Sequence, residues 1–104
     1  MSAAARFPED LEFLLEDALL LGDRAAVAAL FEDAGVLVKR SGGVLGRSNV
    51  AHLLAEHGYL ASPSSVTLIH DIAVVVGPQT VNISRRDPFA GWRLVATVLT
   101  SAPP

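Results

Sequence analysis

The stretch from Leu11 to Val38 constrains this chain more than any other, because two amphipathic helix patterns meet at Gly22-Asp23 and run straight into a valine-rich strand. Asp10 is placed to cap the first helix, with Glu9 and Glu12 near the positive end of its dipole. Leu11, Leu14, Leu15, Ala18 and Leu19 then recur at helical spacing. Phe13, Leu20 and Leu21 widen the apolar surface beyond one stripe. Gly22 ends the helix, and Asp23 caps a second one whose buried stripe is Val27, Leu30 and Phe31. Glu32-Asp33 breaks that helix, and Val36, Leu37 and Val38 form a short strand.

Downstream, Ser41-Gly42-Gly43 supplies a tight reversal that returns Val44 and Leu45 against this strand. Ser48 caps a third helix with Val50, Leu53, Leu54 and His57 on one face and Gly58 at its end. After a turn at Ser62-Pro63-Ser64 the period becomes that of strands: Val66 to Val76, Gln79 to Arg86 and Trp92 to Ser101. Gly77-Pro78 and the run from Asp87 to Gly91 separate them. Helices first and an antiparallel sheet last is α+β organisation.

At 104 residues the chain is one domain, 1–104, with frayed ends at 1–8 and 102–104. A hydrophobic fraction of 51% and a mean hydropathy of +0.43 are high for so short a soluble chain, so apolar surface is left over for a partner. Ile72 to Val76 is apolar on both strand faces, echoed by Leu94, Val95, Val98 and Leu99, which points to a homodimer through the outer face of the sheet. The chain has no cysteine, which excludes disulfides and thiolate metal sites and suits a reducing cytoplasm. No signal-peptide core or membrane-length apolar run is expected. A net charge of −3 with scattered arginines argues against nucleic acid as a partner.

The segments LEDALLLGDRAAVAALFEDAGVLV, GGVLGRSNVAHLL and GWRLVATVLTS resemble the nuclear transport factor 2-like superfamily, which includes ketosteroid isomerases, SnoaL-type polyketide cyclases and many ligand-binding proteins. The resemblance spans nearly the whole chain. It implies three helices packed into a strongly curved, mainly antiparallel sheet, a cone-shaped, cystatin-like α+β barrel whose open end takes a ligand. Two departures stand out. The family usually has four long strands after the third helix, whereas Val66 to Ser101 leaves room for three at ~3.3 Å per residue, which shortens one wall. Ketosteroid isomerases also carry an aspartate base on the first strand and a tyrosine on the first helix. Val38 and Leu15 stand at the matching positions, so that machinery does not carry over.

Among the polar residues, His57 lies on the apolar stripe of the third helix and should face the sheet. A position in the last turn, near the negative end of the dipole, is by itself enough to explain it and is the preferred reading. His52 is expected to pair with Glu56, and His52 and His57 lie about 140° apart on a helix, so they form no metal site. His70 and Asp71 alternate faces if their strand is regular, so His70 either joins the cavity or faces out. Thr80, Asn82, Ser84 and Arg86 share a strand face, for which solvent exposure is the ordinary reading. Arg85 or Arg86 would be the counter-ion of an acidic ligand. The near phosphate-loop SGGVLGRS lacks its opening glycine and is better read as a hairpin, although Arg47 beside a helix start could hold an anion.

Together these residues describe a domain that binds a small apolar or weakly acidic molecule in an apolar pocket. The expected lining is His57, Tyr59, Trp92, His70 and Arg86, with no cofactor, no metal and no assignable catalytic set. The alternatives are an enzyme of cyclase, isomerase or epoxide-hydrolase type using His57, His70 or Asp71, and a pocketless dimerisation module.

Overall fold

The computed structural model describes residues 5–59, 61–62 and 65–100. Helices α1 (Asp10–Leu20), α2 (Arg24–Ala29) and α3 (Val50–His57) cover one face of a sheet built from β1 (Phe31–Val38), β2 (Val44–Gly46), β3 (Ser65–Ile69), β4 (Ile72–Val76), β5 (Thr80–Asp87) and β6 (Gly91–Leu99). The six strands lie in the order β2-β1-β6-β5-β4-β3, so the sheet is open, with β2 and β3 as its edges. Only β1 and β6 run parallel among the neighbouring pairs. The α+β class is as the sequence predicts, but the barrel is not closed.

The sheet bends where its register slips. Ile83 pairs with Ala96 and Ser84 with Leu94, so Val95 is an extra residue on β6, and a second irregularity lies in β1 between Phe31 and Val36. Gly35 sits within that second slip. A Cβ there would come within 2.8 Å of the Glu32 carbonyl oxygen and 2.9 Å of the Phe31 Cβ, so no larger residue fits the bend without a shift.

Several boundaries differ from the sequence reading, each for a local reason. The expected strand from Val66 to Val76 is a hairpin, β3 and β4, reversed at His70-Asp71. His70 takes φ 54°, and Arg86 holds the turn through its backbone N–H on the Asp71 carbonyl at 2.8 Å. Four strands therefore follow α3, and the missing wall is present. The second helix stops at Ala29, and Phe31, Glu32 and Asp33 belong to β1. Leu94 N donates to the Leu30 carbonyl at 2.7 Å and Arg93 Nη2 to the Phe31 carbonyl at 2.6 Å, which draws this backbone out of the helix and onto β6.

Asp23 caps α2 by accepting from Ala26 N at 3.0 Å, as expected. Asp10 instead opens α1 and accepts from Phe7 N, while Ser48 lies in a 3-10 turn, Arg47–Asn49, and caps nothing. Gly58 ends α3 at φ 78°, a left-handed conformation that glycine adopts freely. Within the stretch expected to fray, Ala5 is buried and bridges to Trp92, whose N–H donates to the Ala5 carbonyl at 3.0 Å. Residues 1–4 and 101–104, and part of the Ser62-Pro63-Ser64 turn, lie outside the described residues.

The core lies between helices and sheet: Leu11, Leu15 and Ala18 of α1, Val27 of α2 and Val50 and Leu54 of α3 meet Phe31, Leu37, Ala73 and Leu94. Each fully buried leucine contributes roughly 1.5–3 kcal/mol. The same sheet face carries Thr80, Asn82 and Ser84 of β5 and Thr97 of β6, all buried, contrary to the expected solvent exposure. Register dictates this. Thr80 lies opposite Leu99 and Ser84 opposite Leu94, both core residues, so the polar face of β5 looks inward. The opposite, convex face presents Val36, Val38, Val74, Val81, Ile83 and Val98, all partly exposed.

Candidate functional site

A polar relay crosses this otherwise apolar interior. Thr97 Oγ1 donates to Asn82 Oδ1 at 2.7 Å, Asn82 Nδ2 donates to the Tyr59 hydroxyl at 3.5 Å, and the Tyr59 hydroxyl donates to Glu12 Oε1 at 3.2 Å. Four elements converge to build it: β6, β5, the segment after α3 and the first turns of α1. Asn82 is brought in by strand alternation, and Tyr59 by the sharp exit of the chain at Gly58. Glu12 falls on the α1 face next to Leu11 and Leu15 and is 1% exposed, so it is no solvated helix-dipole partner.

Burial raises the Glu12 carboxyl above its ordinary value, against hydrogen bonds from the Ser62 backbone, Tyr59 and Asn82 that pull it down. The Tyr59 hydroxyl is pushed well up by its own burial and then by the Glu12 charge, so it stays a neutral donor at all working pH values. Among the described residues no cation forms an ion pair with Glu12. Three buried polar atoms have no hydrogen-bond partner there: Glu12 Oε2, His57 Nε2 and Ser84 Oγ. Such orphans are uncommon in native interiors and call for an occupant, because leaving one unpaired costs roughly 1–3 kcal/mol.

The Glu12 environment has a pH signature. Its folded pKa lies above the unfolded value near 4.5, so folding favours proton uptake. The resulting stabilisation is full below about pH 4.5 and is lost as pH rises through the raised value. Glu12→Gln, which keeps an acceptor for Tyr59 but cannot ionise, should therefore gain stability relative to wild type as pH climbs from 4 to 7 in urea-unfolding series (about 4 and 7 as practical limits). A stability difference that stays flat across this range would refute the assignment.

Of the residues the sequence nominates, the structure brings two to this region. His57 and Tyr59 flank Gly58 and are both buried, 6% exposed each. Trp92 is buried too, but lies opposite Arg86, four residues along β5 from Asn82 or roughly 13 Å at strand rise. There it lines an outer groove of about 620 Å³ with Leu14, Ala18, Ala26 and Leu30, away from the relay. His70 is exposed in the β3–β4 turn, because that segment reverses where a continuous strand is expected. Arg86 is on the surface, its Nη2 2.8 Å from Asp71 Oδ1, and is not aimed at the interior. His52 pairs with Glu56 at 3.1 Å as expected, and Arg47 is engaged by Asp33 at 3.3 Å rather than presented to an anion.

Sequence reasoning missed Glu12 and Asn82. The signal for Asn82 was present in the alternation of β5. The signal for Glu12 was hidden because a first-turn glutamate is so often explained by the helix dipole. Leu15 is fully buried in the core and Val38 lies on the convex side in register with Val44, so neither position offers a base or an oxyanion donor. No group of three or more histidine, cysteine, aspartate or glutamate residues able to hold a metal occurs among the described residues. No helix among them is long and apolar enough to cross a membrane.

No protein-family model and no curated protein matches the chain. Solved structures do. A nuclear transport factor 2-like protein from Cytophaga hutchinsonii superposes with a TM-score of 0.66 at 18% identity, over 89% of this chain and 93% of the other. A domain of unknown function with a cystatin-like fold from Nostoc punctiforme gives 0.67 at 14% identity, over 90% and 74%. A ketosteroid isomerase-like protein from Erwinia carotovora atroseptica gives 0.62 at 19%, over 90% and 94%. At these identities the likeness establishes the fold, and the chain has the nuclear transport factor 2-like, cystatin-like architecture that its sequence resembles.

Proposed function

We propose that the domain binds a small, neutral, largely apolar molecule between α3 and the concave sheet face, through a hydroxyl or carbonyl group. One observation carries this reading: the relay from Thr97 to Glu12 is accompanied by three buried, unpartnered polar atoms, Glu12 Oε2, His57 Nε2 and Ser84 Oγ. They supply both donors and acceptors within a core of leucine and valine side chains, the combination a small-molecule site uses. Among the described residues the buried carboxyl has no cationic partner, which disfavours an acidic ligand, since a second carboxylate beside it would meet no balancing charge.

The test is binding. Protein purified gently from cells is extracted with organic solvent, and any co-purifying molecule is identified by mass spectrometry and titrated back. His57→Gln should weaken its binding by about tenfold or more while the fold persists. Unchanged affinity would remove His57 from the site, and affinity unchanged in both His57→Gln and Ser84→Ala would end the proposal.

A second reading has its own support. A buried carboxyl with a raised pKa beside a tyrosine donor is the arrangement of a proton-transfer enzyme of isomerase, cyclase or epoxide-hydrolase type, including the SnoaL type. Turnover of the bound molecule abolished by Glu12→Gln, with binding retained, would favour it.

The partly exposed valines and isoleucine of the convex face further support a homodimer packed through that face. Light scattering of wild type and Ile83→Lys at micromolar concentration checks this, with a monomer mass expected for the variant alone. A chain free of cysteine is suited to the reducing cytoplasm, the compartment in this reading.

A further inference from the structure

The two edges of the sheet are managed differently. β2 is three residues long and runs directly into the 3-10 turn Arg47–Asn49, so it offers little to pair with. β3 is the opposite case. All five of its residues are exposed, it has β4 as its main neighbour, and Ser-Val-Thr-Leu-Ile contains no charge, proline or bulge to blunt the edge. Val66 is 41% exposed and Leu68 58%. Yet these two lie opposite Val75 and Ala73, which are fully buried, so Val66 and Leu68 extend the concave core face beyond the cover of the helices.

Hydrogen-bond parity sets what can pair there. Ile69 and Ile72 close a two-residue turn and so form a hydrogen-bonded pair, which turns the backbone groups of Ile69, Thr67 and Ser65 toward β4. Among the described residues, the unpaired N–H and C=O groups at the free edge are then those of Val66 and Leu68. An antiparallel copy of the same strand, related by a two-fold axis at Thr67, sets Val66 opposite Leu68 twice over. Each such pair can exchange both backbone bonds, and the two Thr67 residues meet as the close, non-hydrogen-bonded pair between them. Side-chain parity agrees: Val66 and Leu68 of both copies form one apolar stripe, while the threonines meet on the other face, a favourable cross-strand pair. No like charges are brought together.

We infer that β3 is a self-pairing edge at which a second copy of this chain adds its own β3, continuing the sheet across a two-fold axis and contributing its Val66 and Leu68 to the open concave wall. A five-residue pairing falls below the ~1,200–2,000 Å² of a standard-size interface, so association through this edge is reversible and concentration-dependent. It is distinct from packing through the convex face, which supplies no partner for the Val66 and Leu68 amides.

Amide hydrogen exchange on the wild-type protein tests this directly. At millimolar concentration the Val66 and Leu68 amides should exchange at least about tenfold more slowly than after dilution to low micromolar, whereas the Thr67 amide, already bonded to β4, should change little. Because the chain has no cysteine, Thr67→Cys provides a second readout with a sole thiol. Twin residues at this position would lie ~4.5 Å apart between Cα atoms, within disulfide reach. In Ser65→Cys the twins would be separated by four strand positions, roughly 13 Å. Under mild oxidant Thr67→Cys should cross-link at least about tenfold faster than Ser65→Cys. Val66 and Leu68 amides that exchange fast at every concentration, or equal cross-linking rates in two folded variants, would overturn the inference. The first of these holds even if a cysteine variant fails to fold, and it is also the result expected if the edge is reserved for a strand of another protein.

Discussion

Phe31→Ala should destabilise the domain by about 3–5 kcal/mol, a large share of the ~5–15 kcal/mol that holds a typical domain together. Phe31 is fully buried and heads the largest such side chains. It also stands where α2 gives way to β1, its carbonyl accepting from Arg93 at 2.6 Å and Arg47 at 3.4 Å. These bonds involve the backbone and survive the substitution, so the loss isolates ring burial and the cavity left behind. The site is tightly built, since a Cβ added at Gly35 would come within 2.9 Å of the Phe31 Cβ, and a close-packed interior relaxes only partly around a lost ring. Urea unfolding measures the difference, with Phe31→Leu as a control expected to lose less than half as much. A loss under about 1 kcal/mol for Phe31→Ala would mean that the ring is not an organising element of the core.

Asn82→Leu is the second large effect, about 2–3 kcal/mol, and it should remove ligand binding as well. The asparagine amide is bonded on both sides, accepting from Thr97 and donating to Tyr59. Leucine has nearly the same volume but no polar atoms. Thr97 Oγ1 is left buried without an acceptor, and the Tyr59 hydroxyl loses the donor that orients it toward Glu12. Pairing the change with Thr97→Val in a double-mutant cycle separates the relay from packing. The two substitutions together should be less destructive than the sum of each alone, by ~0.5–3 kcal/mol, because the second removes a group the first has orphaned. Strict additivity would show that the relay bonds carry no net stability.

How much of this could be read in the chain follows from which forces act locally. The helix patterns, the Asp23 cap, the Gly58 stop and the inward His57 are written in short-range spacing, and all appear in the structure. The end of α2 is not, because Leu30 and Phe31 continue the helical stripe in sequence and leave it only when β6, sixty residues later, claims their carbonyls. The His70-Asp71 reversal escapes for a related reason. It contains neither glycine nor proline and is held by Arg86 from another strand. The relay was half legible. The alternation of Thr80, Asn82 and Ser84 was plain, but which face of β5 looks inward is decided by its register with β6, and the sequence of β5 alone cannot encode it.

The single parallel pairing, β1 with β6, also has a consequence for biosynthesis. β1 and β2 are complete by Gly46, and β3, β4 and β5 can form their own meander by Asp87, yet the two halves share no neighbour until β6 has emerged to lie between them. During translation the nascent chain therefore carries two separate partial sheets, whose edge strands β1 and β5 lack their common neighbour for as long as it takes to synthesise Gly91 to Leu99 and release it from the exit tunnel. Contacts of such long sequence separation form slowly and leave aggregation-prone edges waiting. The last strand acts as the keystone of the domain, and the interval before its arrival is when its unpaired edges are open to wrong partners.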